Sequence, residues 1–104
     1  MIREEESINS VILVNKRSRL EIYLDVLKVI ANGTSKATRI MYNSNLSWKP
    51  LKETLEFLTK QGLIEVKKHR RSKRYYITSK GLRVLEYFKK LQELLSPPSL
   101  NRRE

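Results

Sequence analysis

The stretch "SKATRIMYNSNLSWKPLKETLEFLTKQGLIEVKKHRRSKRYYIT", Ser35 to Thr78, decides the fold. Its first part reads as two short helices around a tight turn. Ser35 is placed to cap the first helix, in which Ala37, Ile40 and Met41 face inward while Lys36 and Arg39 face out. Asn43 to Asn45 read as the turn, because asparagine tolerates positive φ better than most residues. Ser47 is placed to cap the next helix, an interaction worth roughly 1 kcal/mol. Pro50 falls in the first turn of that helix, where a missing amide costs little. Leu51, Leu55 and Leu58 form its buried stripe. Lys49, Lys52, Glu53, Glu56 and Lys60 lie on or near the opposite face, and Lys49–Glu53 and Glu56–Lys60 have ion-pair spacing. Gln61-Gly62 closes the helix.

The second part reads as a hairpin. Two β-prone runs predict strands near 63–68 and 74–78. Between them stands "KKHRRSKR", residues 67 to 74, with six cations, one His and one Ser. This is the densest charge in the chain, and it is expected at the hairpin tip. Side chains alternate along strands, so these cations do not all face the same way. Arg70, Arg71 and Lys73 are the residues expected at the tip.

Outward from this stretch, "SRLE" (Ser18 to Glu21) has the spacing of a capping box. Leu20, Tyr23, Leu24, Leu27 and Ile30 follow at intervals of three and four, giving a helix with one apolar face, and Asn32-Gly33 ends it. On the other side, Thr78 or Ser79 caps a last helix to about Leu95, and Pro97-Pro98 stop it. Residues 96–104 read as a tail. Residues 1–16 form an arm in which "SVILVN" is a strand, a helix lead-in or a segment ordered by an oligomer. The element order is helix, helix, turn, helix, hairpin, helix. That order over residues 17–95 describes a winged helix-turn-helix, an α+β fold that is mainly helical.

The whole chain has 104 residues, which suits one domain, and 39% are hydrophobic, enough for one core. There is no cysteine, which excludes disulfides and thiolate metal sites and suits a reducing interior. No apolar run approaches a membrane span, and the acidic start is unlike a secretory or transit peptide. The net charge is +11. One Arg against three Glu leaves −2 over the first 15 residues, and therefore +13 on the rest. Such a field attracts polyanions. Nucleic acid is the first candidate, an anionic membrane surface the second, and mere solubility the plain alternative.

The segments "ATRIMYNSNLSWKPLKETLEFLTKQGLIEV" and "RYYITSKGLRVLEYF" resemble the small archaeal winged-helix DNA-binding proteins of the Sulfolobus 10a type. The resemblance covers roughly Ser18 to Leu91. It implies a winged helix that binds double-stranded DNA without catalysis, often as a dimer through its last helix. By position it puts Ser47, Trp48, Lys49 and Lys52 on the recognition helix and Arg70 to Arg74 in the wing. Two features depart from the family. Pro97 and Pro98 end the last helix after about four or five turns, where the family has a long coiled-coil helix. The 16-residue front arm, with its acidic triplet, does not map onto the family pattern.

At the candidate sites, Lys68, Arg70, Arg71, Lys73 and Arg74 offer cations to phosphates or to a narrow minor groove. Their alternative is a solvated loop that guards a sheet edge. Ser47 is first a cap, and its helix start can also point free amides at a phosphate. Trp48 is expected to pack at the edge of the apolar stripe rather than to stack on a base. Lys49 and Lys52 are groove candidates, and Lys36 and Arg39 can clamp the flanking backbone. Glu53 and Glu56 either pair with the lysines or accept from a cytosine amine. The recognition helix has no Asn, Arg or Gln in its first two turns, so selectivity is expected to be modest or read from DNA shape. Tyr75 and Tyr76 face opposite sides of their strand, one of them toward the core.

On the last helix, Val84, Tyr87, Phe88, Leu91, Leu94 and Leu95 span one side and form the expected dimer seam, with Leu82 and Leu85 elsewhere. The alternative packs all of them on their own domain. His69 stands alone, so no metal, cofactor or catalytic role is expected. The expected function is that of a homodimeric, cytoplasmic, nucleoid-associated transcription regulator. A weakly selective architectural DNA binder is its rival, and an RNA-binding or protein-interaction winged helix stays open.

Overall fold

The computed structural model describes residues 17–96. The strand reading of Ser10–Asn15, the acidic arm and the stop at Pro97-Pro98 lie outside the described residues. Four helices and one hairpin follow in the expected order. They are α1 (Arg19–Ala31), α2 (Ala37–Ser44), α3 (Trp48–Lys60), β1 (Ile64–His69), β2 (Ser72–Ile77) and α4 (Ser79–Leu95). This is a winged helix-turn-helix, α+β and mainly helical.

Local chemistry sets most boundaries. At the start of α1 the Ser18 hydroxyl accepts from the Glu21 amide at 3.1 Å, and the Glu21 carboxylate accepts from the Ser18 amide at 3.0 Å. This closes the predicted capping box and satisfies two of the helix's orphan donors. Gly33 (φ 102°) and Gly62 (φ 75°) follow the ends of α1 and α3 in the left-handed region. The Thr78 hydroxyl accepts from the Gly81 amide at 3.1 Å and donates to the Gly62 carbonyl at 2.7 Å. One side chain thus caps α4 and ties it to the end of α3. Gly81 is buried there, and a Cβ at that position would come within 2.7 Å of Ile77 Cγ1 and strike the Leu63 carbonyl.

Two expectations at the helix-turn-helix are corrected. Lys36, not Ser35, is the N-cap of α2, and it makes no side-chain cap. The Ser35 backbone instead joins the wing: its carbonyl accepts from the Tyr75 amide at 2.9 Å, and Lys36 bridges to Arg74. Pairing with β2 holds this segment extended, so the helix starts later. Asn43 and Ser44 belong to α2, and the turn rests on Asn45 alone, at φ 57° and ψ 47°. The Ser44 hydroxyl bonds back to the Ile40 carbonyl inside the helix.

The core joins Val26, Leu27 and Ile30 of α1, Ile40 of α2, Leu51, Leu55 and Leu58 of α3, and Ile64 of β1. Val26 is fully buried although it lies off the predicted face of α1, while Leu20, on that face, is exposed. The reason is tertiary. Helix α1 touches α2, α3, β2 and α4, so it is covered on more than one side. Truncating a fully buried leucine such as Leu51 is expected to cost about 2–5 kcal/mol.

Candidate nucleic-acid interface

The helix-turn-helix is fixed from outside by Arg17. Its guanidinium pairs with Asp25 at 2.7 Å and donates to the carbonyls of Ser44 at 2.9 Å and Asn45 at 3.2 Å. It occupies the carbonyl end of α2, where a cation is favoured. Sequence reasoning missed Arg17, because its partners at Ser44 and Asn45 lie far along the chain.

Ser47 stands at the N-cap of α3 with extended backbone, and its carbonyl accepts from the Leu51 amide at 3.2 Å. Its hydroxyl makes no cap, contrary to expectation. An N-cap side chain bonds the second or third amide of the helix, and the third residue here is Pro50, which has none. Lys49 and Lys52 are exposed on the outer face of α3 together with Glu53, Glu56 and Lys60. The expected ion pairs Lys49–Glu53 and Glu56–Lys60 do not close, since Arg17–Asp25 is the only ion pair among the described residues. Exposed pairs gain too little to hold two long side chains in place.

Trp48 is 52% exposed and outside the core, which corrects the packing expectation. At 100° per residue it sits about 60° round the helix from Leu51, on the side that faces the wing. Phe57, on another side of α3, stacks on Tyr23 with ring centroids 4.5 Å apart.

The wing is tighter than predicted. His69 pairs with Ser72, so only Arg70 and Arg71 form the turn. Arg70 has φ 56° while Arg71 is not in the left-handed region, the sign pattern of a type II′ turn, whose first position favours glycine. Lys73, expected at the tip, lies on β2 opposite Lys68, and Lys67 lies opposite Arg74. Alternation then divides the cations. Lys68 and Lys73 share a face with Val66 and Tyr75. Lys67 and Arg74 share the other with Tyr76, whose ring lies 5.5 Å from the Lys67 ammonium. Arg74 is half-buried and its Nε has no hydrogen-bond partner. Lys36 and Arg39 are exposed at the start of α2.

A groove of ≈ 900 Å³ runs between α3 and the wing. Trp48, Leu55, Val66 and Tyr75 supply its apolar surface, and Lys36, Lys52, Lys60, Arg71 and Lys73 its cations. Glu56 is the one carboxylate in the lining. Tyr75 is the tyrosine that packs on the core. Burial pushes its phenol pKa up, and the nearby Glu56 carboxylate adds to the shift. Of the candidates, Lys36, Trp48 and Lys52 meet Arg71 and Lys73 of the wing around this one concave surface. Arg39, Ser47, Lys49, Lys68 and Arg70 lie outside it, and Arg74 stands on the other side of the sheet.

Helix α4 packs through Val84 and Leu85 against the core, while its outer half is bare. Tyr87 is 69% exposed, and Leu94 and Leu95 are each 76% exposed. Leu91 is exposed as well, and Phe88 is half-buried. No described helix is long and apolar enough to cross a membrane. No group of three potential metal ligands stands together among the described residues.

The winged helix-turn-helix family matches residues 16–96 of the chain. Uncharacterized protein MJ0287 of Methanocaldococcus jannaschii is 30% identical over 81 residues, spanning 78% of this chain and 79% of that protein. Uncharacterized protein MJ0290 of the same organism is 29% identical over 94 residues, which are 90% of this chain but 43% of that protein, so the chain spans less than half of its length. Among solved structures, Sso10a-2, a DNA-binding protein from Sulfolobus solfataricus, matches with a TM-score of 0.63 and 29% identity, over 76% of this chain and 85% of that one.

Proposed function

The chain belongs to the winged helix-turn-helix family, and on that premise we propose that it binds double-stranded DNA, with α3 in the major groove and the wing on the flanking backbone or minor groove. One observation carries this reading. The hairpin sets Lys67 opposite Arg74 and Lys68 opposite Lys73. Like charges directly across a ladder destabilise it, and Arg70 adds a left-handed backbone at the tip. A hairpin selected for stability alone would not concentrate these features. Phosphates would relieve the repulsion and release condensed counterions.

The rest of the face fits the same partner. Lys49 and Lys52 reach from the first turns of α3, Lys36 and Arg39 flank them, and the uncapped start of α3 leaves amides for a phosphate. We assign the binding form as a homodimer joined through α4. Phe88, Leu91 and Leu95 continue from Val84 at spacings of four, three and four, the period of a helix seam. Two copies would read half-sites about one helical turn apart. The role is binding without catalysis, in a nucleoid-associated regulator of transcription. A weakly selective architectural role is favoured instead by the lack of Asn, Arg and Gln in the first two turns of α3.

The test is the salt dependence of binding to a duplex, with structured RNA as competitor. Replacing Arg70, Arg71 and Lys73 by Ala should weaken binding to every sequence. It should also flatten the slope, by up to about 0.9 for each phosphate no longer neutralised. An unchanged slope would remove the wing from the interface. Selection of sheared genomic DNA separates the two roles: peaks sharing a near-palindrome mean a regulator, and even coverage means an architectural binder.

A further inference from the structure

The groove between α3 and the wing has a feature that a DNA backbone does not use. A sugar–phosphate chain engages cations on the rim, but it has little to offer an apolar floor. Here the apolar lining is made by Leu55, Val66 and Tyr75 together with the half-exposed Trp48. Its ≈ 900 Å³ lies within the range of small-molecule sites, roughly 300–1,000 Å³. Such sites are mostly apolar with a few placed polar groups. The lining carries five cations and one carboxylate, Glu56. Glu56 lies one helical turn from Lys52 and disfavours an anion beside itself, while Lys52 on α3 and Lys73 on β2 supply a cation from each of the two elements that bound the groove.

We propose that this groove binds a small amphipathic aromatic anion and that the bound anion excludes DNA. The aromatic body lies against Val66, Tyr75 and Trp48, and the acidic group lies between Lys52 and Lys73. The exclusion rests on the DNA-binding reading above, because Lys52 and Lys73 are then shared by both ligands. Binding of the anion itself does not rest on it.

The full chain is titrated with 8-anilinonaphthalene-1-sulfonate and, separately, with the uncharged N-phenyl-1-naphthylamine. Emission of Trp48, the chain's one tryptophan, reports on the groove. The sulfonate is expected to saturate at one per chain, to quench Trp48, and to bind about tenfold more tightly than the uncharged dye, a difference of about 1.4 kcal/mol. Lys52→Glu with Lys73→Glu should weaken it by about tenfold or more, and both side chains are exposed, so the fold is kept. Val66→Asp, which puts a carboxylate on the floor, should do the same. The bare stripe on α4 is the rival surface for a dye, and neither change touches it. Sulfonate binding that survives the charge reversal, or that equals binding of the uncharged dye, overturns the proposal. With labelled duplex DNA and the unaltered chain, saturating sulfonate should release the DNA. Simultaneous binding of both overturns the exclusion. A chain that binds no duplex in the absence of dye would sink the DNA-binding reading, while the dye titration still decides the groove.

Discussion

Arg17 and Asp25 meet at 2.7 Å, and through that pair the first helix holds the turn of the helix-turn-helix. The same guanidinium binds the Ser44 and Asn45 carbonyls. The two charged side chains are 32% and 40% exposed, so solvent weakens the ion pair itself. The charge-assisted bonds to the carbonyls contribute the larger share. Arg17→Ala should therefore lower stability by about 1–2 kcal/mol, read as a lower urea midpoint with an unchanged slope. Arg17→Lys should restore less than half, since an ammonium lacks the planar fork. A midpoint unmoved in Arg17→Ala would show that Asn45 holds the turn unaided.

Arg70 sits where a glycine is preferred. Its left-handed backbone is expected to cost about 1 kcal/mol. Arg70→Gly should raise the melting temperature and weaken DNA binding at the same time. The salt slope should fall by up to about 0.9. Thermal unfolding and duplex titration on one preparation test both halves. A variant that is more stable and binds DNA unchanged would make Arg70 a solvated tip residue.

Leu95 is exposed enough that its replacement leaves the domain folded. In a dimer joined through α4, Leu95→Glu would bury a carboxylate at the seam. Sedimentation should find dimers of the unaltered chain and monomers of the variant, with the same helical content. A monomeric unaltered chain, at concentrations well above those used for DNA binding, ends the dimer idea.

Tyr75 makes stability fall in alkali. Its folded pKa is raised, first by burial and then by Glu56. The native state therefore holds the phenolic proton more tightly than the unfolded chain, whose tyrosine titrates near about 10. The contribution is complete below that value and is lost as pH rises through the folded pKa. Tyr75→Phe should flatten stability above about pH 10 relative to the unaltered chain, measured by denaturant midpoints. An equal alkaline loss in both chains would assign the effect to other groups.

Much of the fold is legible in the sequence because its signals are local. The capping box at Ser18, the glycines after α1 and α3, and the cap at Thr78 all act within a few residues of chain. The candidate site is legible in membership but not in arrangement. The cation run stands out, yet its division between two faces depends on a two-residue turn formed by Arg70 and Arg71. Arginine carries no turn signal, so the sequence suggests a longer loop with Lys73 at its tip. Ser47 reads as a side-chain cap because the rule for its position does not count the missing amide of Pro50.

By itself, then, the sequence determined the order of elements, the stripe of α3 and the charge of the hairpin, since periodicity, caps and composition are properties of neighbouring residues. Tertiary structure decided which side chains meet. Ser35 pairs with Tyr75, and Arg17 reaches Ser44 and Asn45. Val26 is covered while Leu20 is not, and Trp48 opens onto a groove instead of entering the core. Each of these depends on how separate elements pack, and packing energy is shared among residues far apart in the chain. No local pattern records it.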